Sequence, residues 1–518
     1  MHTASPMLKA QRISAPARTL PAGLRVKPAP LHLARGSPYS SPLTSGRPLA
    51  KERQQDEHAS APQLGASPTS YVQQYEQPTA TLSTASLPSS LSAYECEQAE
   101  AALEALLATP DLDLRVAPHS PMFDAQAAAQ AVQLERACAV AMLCAYGPHH
   151  AALGLPLLPS SRGAAPDAVD PAAGTGHSQE AGTGKEGGPY TGLSAADAAH
   201  QFVHRTLYRL NRLNLFWYDA LDNYANERSL HLARLRNGLE AAWQSWEGQQ
   251  LGHDTIDKMR QMSPDEIKEG LRQRYTEDVD PPLSAVGSYI ATDMGVEGYR
   301  QLLAIASLDG LVEASRQSRV CGGAPNDVMC MIFKVLMEEY GAGRMAKKHS
   351  TFFASMMREL KLDDTPEVYL DEVPWQVLAG ANHNFLLTER RRHYLRYAAG
   401  LSFFEIVGPS VYRTYLAAAQ RLNLSEEAAG YWALHIKEDE RHGRWMLEDV
   451  AVPLVDKYPK DSWELLLGYD QEKFMATRAA AVVLERIRKA DEQGFIAKPK
   501  PFVNSPPPSE VAAKPALI

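Results

Sequence analysis

Between about residues 90 and 490, apolar residues recur three and four positions apart, the period of an amphipathic helix. No stretch alternates with the period of two that a half-buried strand shows. The spacing predicts helices over 94–107, 125–146, 195–225, 229–247, 264–274, 282–292 and 296–317. Further helices follow over 327–360, 374–400, 401–422, 425–458 and 463–490. The second carries a stripe of Val132, Leu134, Ala137, Val140 and Leu143, and the third one of Phe202, Leu207, Leu210, Leu213, Phe216 and Trp217. Ser425 before Glu426 and Glu427 reads as an N-cap, and Ser263-Pro264 puts proline in a first turn. Residues 1–88, rich in Ser, Pro, Ala and Gln, read as a disordered leader. Residues 147–192, with the core PAAGTGHSQEAGTGKEGG, have little to bury and read as a flexible insertion. The tail 491–518 is Pro-rich. The expectation is an all-α protein: an N-terminal helical region over 89–292, a second helical domain over 293–490, and disordered ends.

Composition and charge narrow the class. No apolar run reaches the ~18 residues of a membrane span, and five cysteines without a CxxC pair suit a reducing compartment. The first 51 residues contain eight Lys or Arg and no Asp or Glu, which is how an organelle transit peptide reads. Its prolines and lack of a clean amphipathic helix favour a plastid over a mitochondrion. Removing it takes the net charge from −9 to about −17, against nucleic acid or an anionic membrane as main partner.

The sharpest chemical signal is HIKEDERH. His435, Asp439 and His442 stand at i, i+4 and i+7, within roughly 60° of arc on a helix, and can converge on one point. Imidazole nitrogen with carboxylate oxygen suits iron. Glu405 lies between Phe404 and Ile406 in an otherwise apolar helix, where a buried carboxylate needs a cation, a metal or a proton. Glu339 and His349 follow in MEEYGAGRMAKKHSTFF. A strict helix sets Glu339 roughly 80° from His349 and Glu338 within about 20°, yet Gly341 and Gly343 can relax it. Periodicity leaves both glutamates open. The neighbours His149 and His150 read as incidental rather than as a metal site, and Glu389 and His393, at i and i+4, read as a structural or substrate-anion-facing group. Arg390, Arg391 and Arg392 are the nearest basic run for a carboxylate substrate but read first as a solvated charge run. Tyr340, Tyr397, Tyr412, Tyr415 and Tyr431, nearest the candidate ligands in sequence, could carry a radical or self-oxidation but read mostly as core aromatics.

The segment Glu339-Tyr-Gly-x-Gly with His349 and Phe352-Phe353, the lone Glu405, and His435-x-x-x-Asp439-x-x-His442 resemble the heme-oxygenase-like diiron oxidases. The likeness runs over about residues 195–490. It implies a heme-oxygenase-like helical bundle in which Glu339, His349, Glu405, His435, Asp439 and His442 bind two Fe(II) ions that react with O₂. Some members add an upstream acid, and the similar position here is Glu313. Members oxidise amines, amino acids or fatty acids, so the resemblance implies an O₂-dependent oxidoreductase with a small organic substrate. Ferredoxin would suit as electron donor in a plastid, and a homodimer is compatible.

Other readings fit less well. A ferritin-like site brings paired Glu-x-x-His motifs, which the helical core lacks. A heme protein needs one proximal histidine rather than several acids. A non-catalytic helical scaffold has no use for so many ligand-type residues in one order.

Overall fold

In the computed structural model, residues 87–154, 188–217, 219–496 and 498–500 are described; the leader 1–86, most of the insertion (155–187) and the tail 501–518 lie outside them. Among the described residues every regular element is helical. In chain order they are α1 (Ala93–Leu107), α2 (Leu112–Arg115), α3 (Ala125–Gly154), α4 (Ala195–Asn211), α5 (Leu230–Leu251), α6 (His253–Gln261), α7 (Pro264–Asp278) and α8 (Ala285–Thr292). They continue with α9 (Val296–Gly310), α10 (Asp327–Glu339), α11 (His349–Glu359), α12 (Trp375–Glu389), α13 (Tyr394–Arg421), α14 (Glu426–Trp445), α15 (Val452–Lys457) and α16 (Trp463–Gln493). The predicted start signals are in place: Ser425 accepts from the Ala428 N–H, and Pro264 opens α7, where Ser263 also forms a capping box with Glu266.

Among the described residues the helices collect around four hydrophobic clusters. α1, α3, α4 and α5 bury Leu103, Leu134, Phe202, Leu239 and Trp243 together, and they dock on Trp375 and Ala379 of α12. That junction is polar as well as apolar. Buried Arg205 of α4 pairs with Glu100 and Asp371, Arg212 pairs with Glu367, and Asn382 of α12 donates to the His204 carbonyl. The boundary expected near residue 292 therefore runs inside one compact unit. Around the two larger clusters of the C-terminal half, α13 lies against α14, α16 and α8, and α11 packs on α14.

The departures from the predicted helices have local causes. Helix α4 stops at Asn211, and Phe216 is 52% exposed, so the aromatic stripe ends sooner than expected. Val132, counted in the second stripe, faces solvent. Gly147, in the left-handed region at φ 77°, kinks α3, which then continues to Gly154 where a flexible insertion is expected. His150 is buried there, held by Ser245 and Gln249, so its role is structural. The break between α12 and α13 falls at Arg390–His393 rather than at Gly400. Helix α16 runs to Gln493, and Phe495 behind it is buried, so the tail begins later than residue 491.

Two breaks shape the site. Helix α9 ends at Gly310 instead of running to 317, and Ala314 takes a left-handed φ of 61°. The stretch expected as one helix over 327–360 is two, separated by a turn through Gly341 (φ 58°) and Ala342 (φ 52°). A Cβ on Gly341 would lie 2.4 Å from the Lys347 backbone carbon, so this turn requires glycine. Non-glycine residues with positive φ are sparsely populated and cluster at functional sites.

Helices α13 and α14 approach closely because of two glycines. A Cβ on Gly443 would stand 2.8 Å from the Glu405 carbonyl oxygen, and one on Gly408 would stand 2.8 Å from Asp439 Oδ2. Gly443→Ala must therefore push the two helices apart. The expected outcome is a destabilisation of about 1–3 kcal/mol in thermal unfolding, and an unchanged midpoint would contradict this packing.

Candidate metal centre

Five elements deliver the polar groups. The turn after α9 supplies Glu313, the C-terminus of α10 supplies Glu338 and Glu339, and the first residue of α11 is His349. The middle of α13 supplies Glu405, and α14 supplies His435, Asp439 and His442. Glu339, His349, Glu405, His435, Asp439 and His442 are buried in the centre of the bundle.

Among the described residues, ligand-type atoms converge in three groups, the atoms of each within 4.8 Å of one another; one of them, Glu338, Glu438 and His442, has both its glutamates only half-buried. The other two lie in the interior, Glu313, Glu339, His349 and His435 forming the first and Glu339, Glu405 and His442 the second. Glu339 belongs to both. Its Oε2 lies 2.7 Å from His349 Nδ1 and 4.0 Å from His435 Nε2, while its Oε1 lies 3.9 Å from His442 Nδ1. His435 Nε2 is 3.1 Å from Glu313 Oε1 and 3.1 Å from His349 Nδ1. His442 Nδ1 is 3.1 Å from Glu405 Oε2 and 3.6 Å from Asp439 Oδ1. All seven residues singled out in the sequence are thus brought to one place, Glu313 among them.

The turn between α10 and α11 sets how the two glutamates stand to the interior cluster, which helical spacing could not do. Because α10 ends at Glu339 and α11 begins afresh at His349, no single helical phase relates them. Glu339 faces the cluster. Glu338 lies outside it, accepting from His442 Nε2 at 2.8 Å and from Arg441 at 2.7 Å. Arg441 also pairs with Glu438, so these flanking charges form the salt-bridged face expected of them.

Supporting contacts fix the rings. His435 Nδ1–H donates to the Tyr431 carbonyl at 2.9 Å, which leaves Nε2 directed into the cluster. The contact of His442 Nε2 with Glu338 does the same for Nδ1. The Tyr431 hydroxyl donates to Glu313 Oε1 at 2.7 Å. Tyr431 thus positions two of the groups, a role that its place four residues before His435 could have signalled. The Tyr412 ring packs 5.0 Å from that of His435, whereas Tyr397 and Tyr415 are core aromatics.

Four carboxylates share this small volume. The nearest lysine, Lys348, donates instead to the Glu313 backbone carbonyl and lies over the Tyr340 ring. Burial, and then the charge of Glu313, push the Glu339 carboxyl up to about 8. Burial and the Glu405 charge push Asp439 up to about 7. Burial acts to lower the His435 imidazolium, but Glu313 beside it outweighs this and holds it up at about 10; the carboxylates around His442 hold that ring at about 11. His349 is driven down to about 3 by burial and by neighbouring His435. Protons therefore supply the positive charge that the donor set calls for. Two buried oxygens, Glu313 Oε2 and Asp439 Oδ1, have no hydrogen-bond partner at all. A set of carboxylates and imidazoles with open lone pairs facing inward fits hard or borderline metal ions such as iron.

The remaining sequence candidates stand elsewhere. Glu389 pairs with Arg319 and Arg236, Arg390 with Glu240, and Arg392 with Glu464, while Arg391 donates to the Thr388 and Arg319 carbonyls. The arginine run is structural and is spent on these partners.

Comparison with known proteins agrees with this geometry. Residues 300–471 match the iron-containing redox enzymes. That stretch holds every residue of the two groups. A nitrosourea synthase of Streptomyces achromogenes subsp. streptozoticus is 31% identical over 159 residues, covering 29% of this chain and 32% of that protein. The chain thus spans about a third of that curated relative. The fold is all-α, as the resemblance implies, and among the described residues no helix is long and apolar enough to cross a membrane.

The raised carboxyls make metal-free stability depend on pH. Their folded pKa values exceed the ordinary carboxylate range. The stability they contribute is therefore complete below about pH 4 and is lost as pH rises through about 7 to 8. In chelator-treated protein the unfolding midpoint should fall between pH 5 and 8.5, and Glu339→Gln should fall less steeply. Equal slopes for the two would contradict the crowding of charge described here.

Proposed function

We propose that the chain is a non-heme diiron oxidoreductase that uses O₂ to oxidise a small organic substrate of amine, amino acid or fatty acid type. One observation carries the reading: two groups of ligand atoms lie side by side and share Glu339, whose two oxygens face different groups. One iron would be held by Glu313, His349 and His435, the other by Glu405, Asp439 and His442, with Glu339 common to both. When bound, the iron pair supplies electrons to O₂.

The protein's own contribution follows from its contacts. The histidines, each oriented through its second nitrogen or by tight burial, fix the positions of the two ions. The carboxylates balance their charge, and they shed the protons they hold when metal enters. Tyr431 keeps Glu313 turned inward. Burial of nearly the whole set limits bulk water at the reacting centre.

The match to iron-containing redox enzymes and to a nitrosourea synthase supports the oxidoreductase class. A plastid location, read from the basic leader, and a ferredoxin as electron donor belong to the same proposal. A porphyrin is disfavoured by the donor set, because four acids crowd the space in which a heme would need one histidine and apolar walls.

Anaerobic loading with Fe(II) should give about two irons per chain for this ligand set, and admitting O₂ should consume it in step with iron oxidation. His435→Ala and Asp439→Ala should each lower bound iron. Less than about one iron per chain, unaffected by either variant, would overturn the diiron reading and favour a scaffold role. A second check concerns Tyr431. Tyr431→Phe removes only the hydroxyl that holds Glu313, so Fe(II) affinity should fall about 10-fold or more, and an unchanged affinity would show that Glu313 needs no such support.

A further inference from the structure

A cavity of about 380 Å³ opens beside α13 and α14 and has Glu405 and Asp439 among its walls. It is of the size of small-ligand clefts, which run from ~300 to ~1,000 Å³. Ile406, Pro409 and Gly443 give it an apolar flank. Towards the surface lie Arg413 from α13, Glu440 from α14 and Asp280 from the loop after α7. Glu405, Pro409 and Arg413 follow one another at intervals of four, so they share a face of α13. Arg413 lies about 12 Å along the helix axis from Glu405. The cavity thus runs from Arg413 near the surface to Glu405 and Asp439, two residues of the candidate metal centre.

Arg413 is the basic residue among these lining groups, and its present partners hold it loosely. Its amino nitrogens stand 3.4 Å from Asp280 and 3.6 Å from Glu440, where charge-assisted pairs normally close to about 2.7–2.9 Å. Both acids are largely in solvent, with side chains 88% and 63% exposed. Exposed pairs of this kind contribute little. The contrast with Arg390, Arg391 and Arg392 is direct, since each of those has a closer partner. A planar guanidinium with weak partners at the edge of a ligand-sized cavity is suited to hold a carboxylate through two parallel hydrogen bonds. A simple cation would instead meet Asp280 and Glu440 already compensated by Arg413.

The geometry points to Arg413 as the anchor for a carboxylate-bearing organic substrate, whose other end reaches Glu405 and Asp439. This assignment rests on the diiron reading for the chemistry at the inner end, but the binding step does not. The substrate carboxylate displaces Asp280 from the guanidinium, and its carbon chain lies along Ile406 and Pro409. No bond forms or breaks at Arg413, which positions the ligand and sets its class.

The test uses the full chain, loaded with Co(II) as a stable visible stand-in for Fe(II), and three probes of equal length: hexanoate, hexylamine and 1-hexanol. Calorimetric titration measures binding, and the Co(II) absorption bands report whether a probe reaches the metal end. Hexanoate should bind more tightly than the other two and perturb the bands. Arg413→Gln should weaken hexanoate about tenfold or more, as expected when a paired carboxylate contact is lost, while leaving Co(II) uptake unchanged. Arg413→Lys should recover only part of the affinity, because a point charge cannot make the paired contact. Hexanoate binding that is absent, or that is indifferent to Arg413→Gln, overturns the assignment. So does tighter binding of hexylamine, particularly if Asp280→Asn abolishes it. Failure of the wild-type chain to take up Co(II) would count against the metal centre instead, and hexanoate titration of that same sample still decides the role of Arg413.

Discussion

Four carboxylates, from Glu313, Glu339, Glu405 and Asp439, are crowded into the interior of a helical bundle with three imidazoles. Like charges at such separations in a desolvated setting oppose one another strongly, and the bundle has few ways to relieve them. It does not bring an arginine or lysine ammonium group among them. It raises the carboxyls of Glu339 and Asp439, holds protons on His435 and His442, and leaves oxygens of Glu313 and Asp439 without partners. A fold that only needed a stable core would fill this space with apolar side chains. The retained charge is the physical reason for assigning the site to metal ions, and the family match over residues 300–471 agrees with it independently.

Much of the surrounding architecture serves to bring these groups together. The left-handed Ala314 turns the chain after α9 so that Glu313 points inward, and the Gly341–Ala342 turn resets the helical phase between Glu339 and His349. Gly408 and Gly443 let α13 and α14 approach until Glu405 and the α14 cluster meet. Beyond the end of α14 the backbone widens into a π-helical stretch at Met446–Ala451, which begins one turn after His442. Local widening of this kind is frequent beside functional sites. The N-terminal helices stand outside the site and buttress it through α12, by way of Arg205, Arg212 and Asn382.

The helical class, most helix starts and the shared buried face of His435, Asp439 and His442 on α14 were legible from sequence because they depend on short-range periodicity and capping chemistry. Glu405 was legible for a different reason, as a charge in an apolar setting. What periodicity could not yield was which α10 glutamate faces the interior, because that depends on a non-helical turn whose phase no helical wheel describes. Glu313 was equally ambiguous while it was placed on a continuing helix; only the stop at Gly310 turns it toward His435. The three arginines at 390–392, adjacent in sequence, read as a solvated charge run or, failing that, as an anion site. Their partners, Glu240, Glu464 and the Arg319 carbonyl, are distant in the chain and appear only on folding. Arg413 drew no attention for the same reason in reverse, since its place at the cavity edge depends on α13, α14 and the loop after α7 together.

The central claim is that two metal ions sit on either side of Glu339. Anomalous diffraction at the iron edge, from crystals grown and loaded anaerobically with Fe(II), tests it most directly. The account predicts two peaks, one among Glu313, His349 and His435 and the other among Glu405, Asp439 and His442, with Glu339 in reach of both. A single peak, or iron bound on the outer side between Glu338 and Glu438, would contradict it.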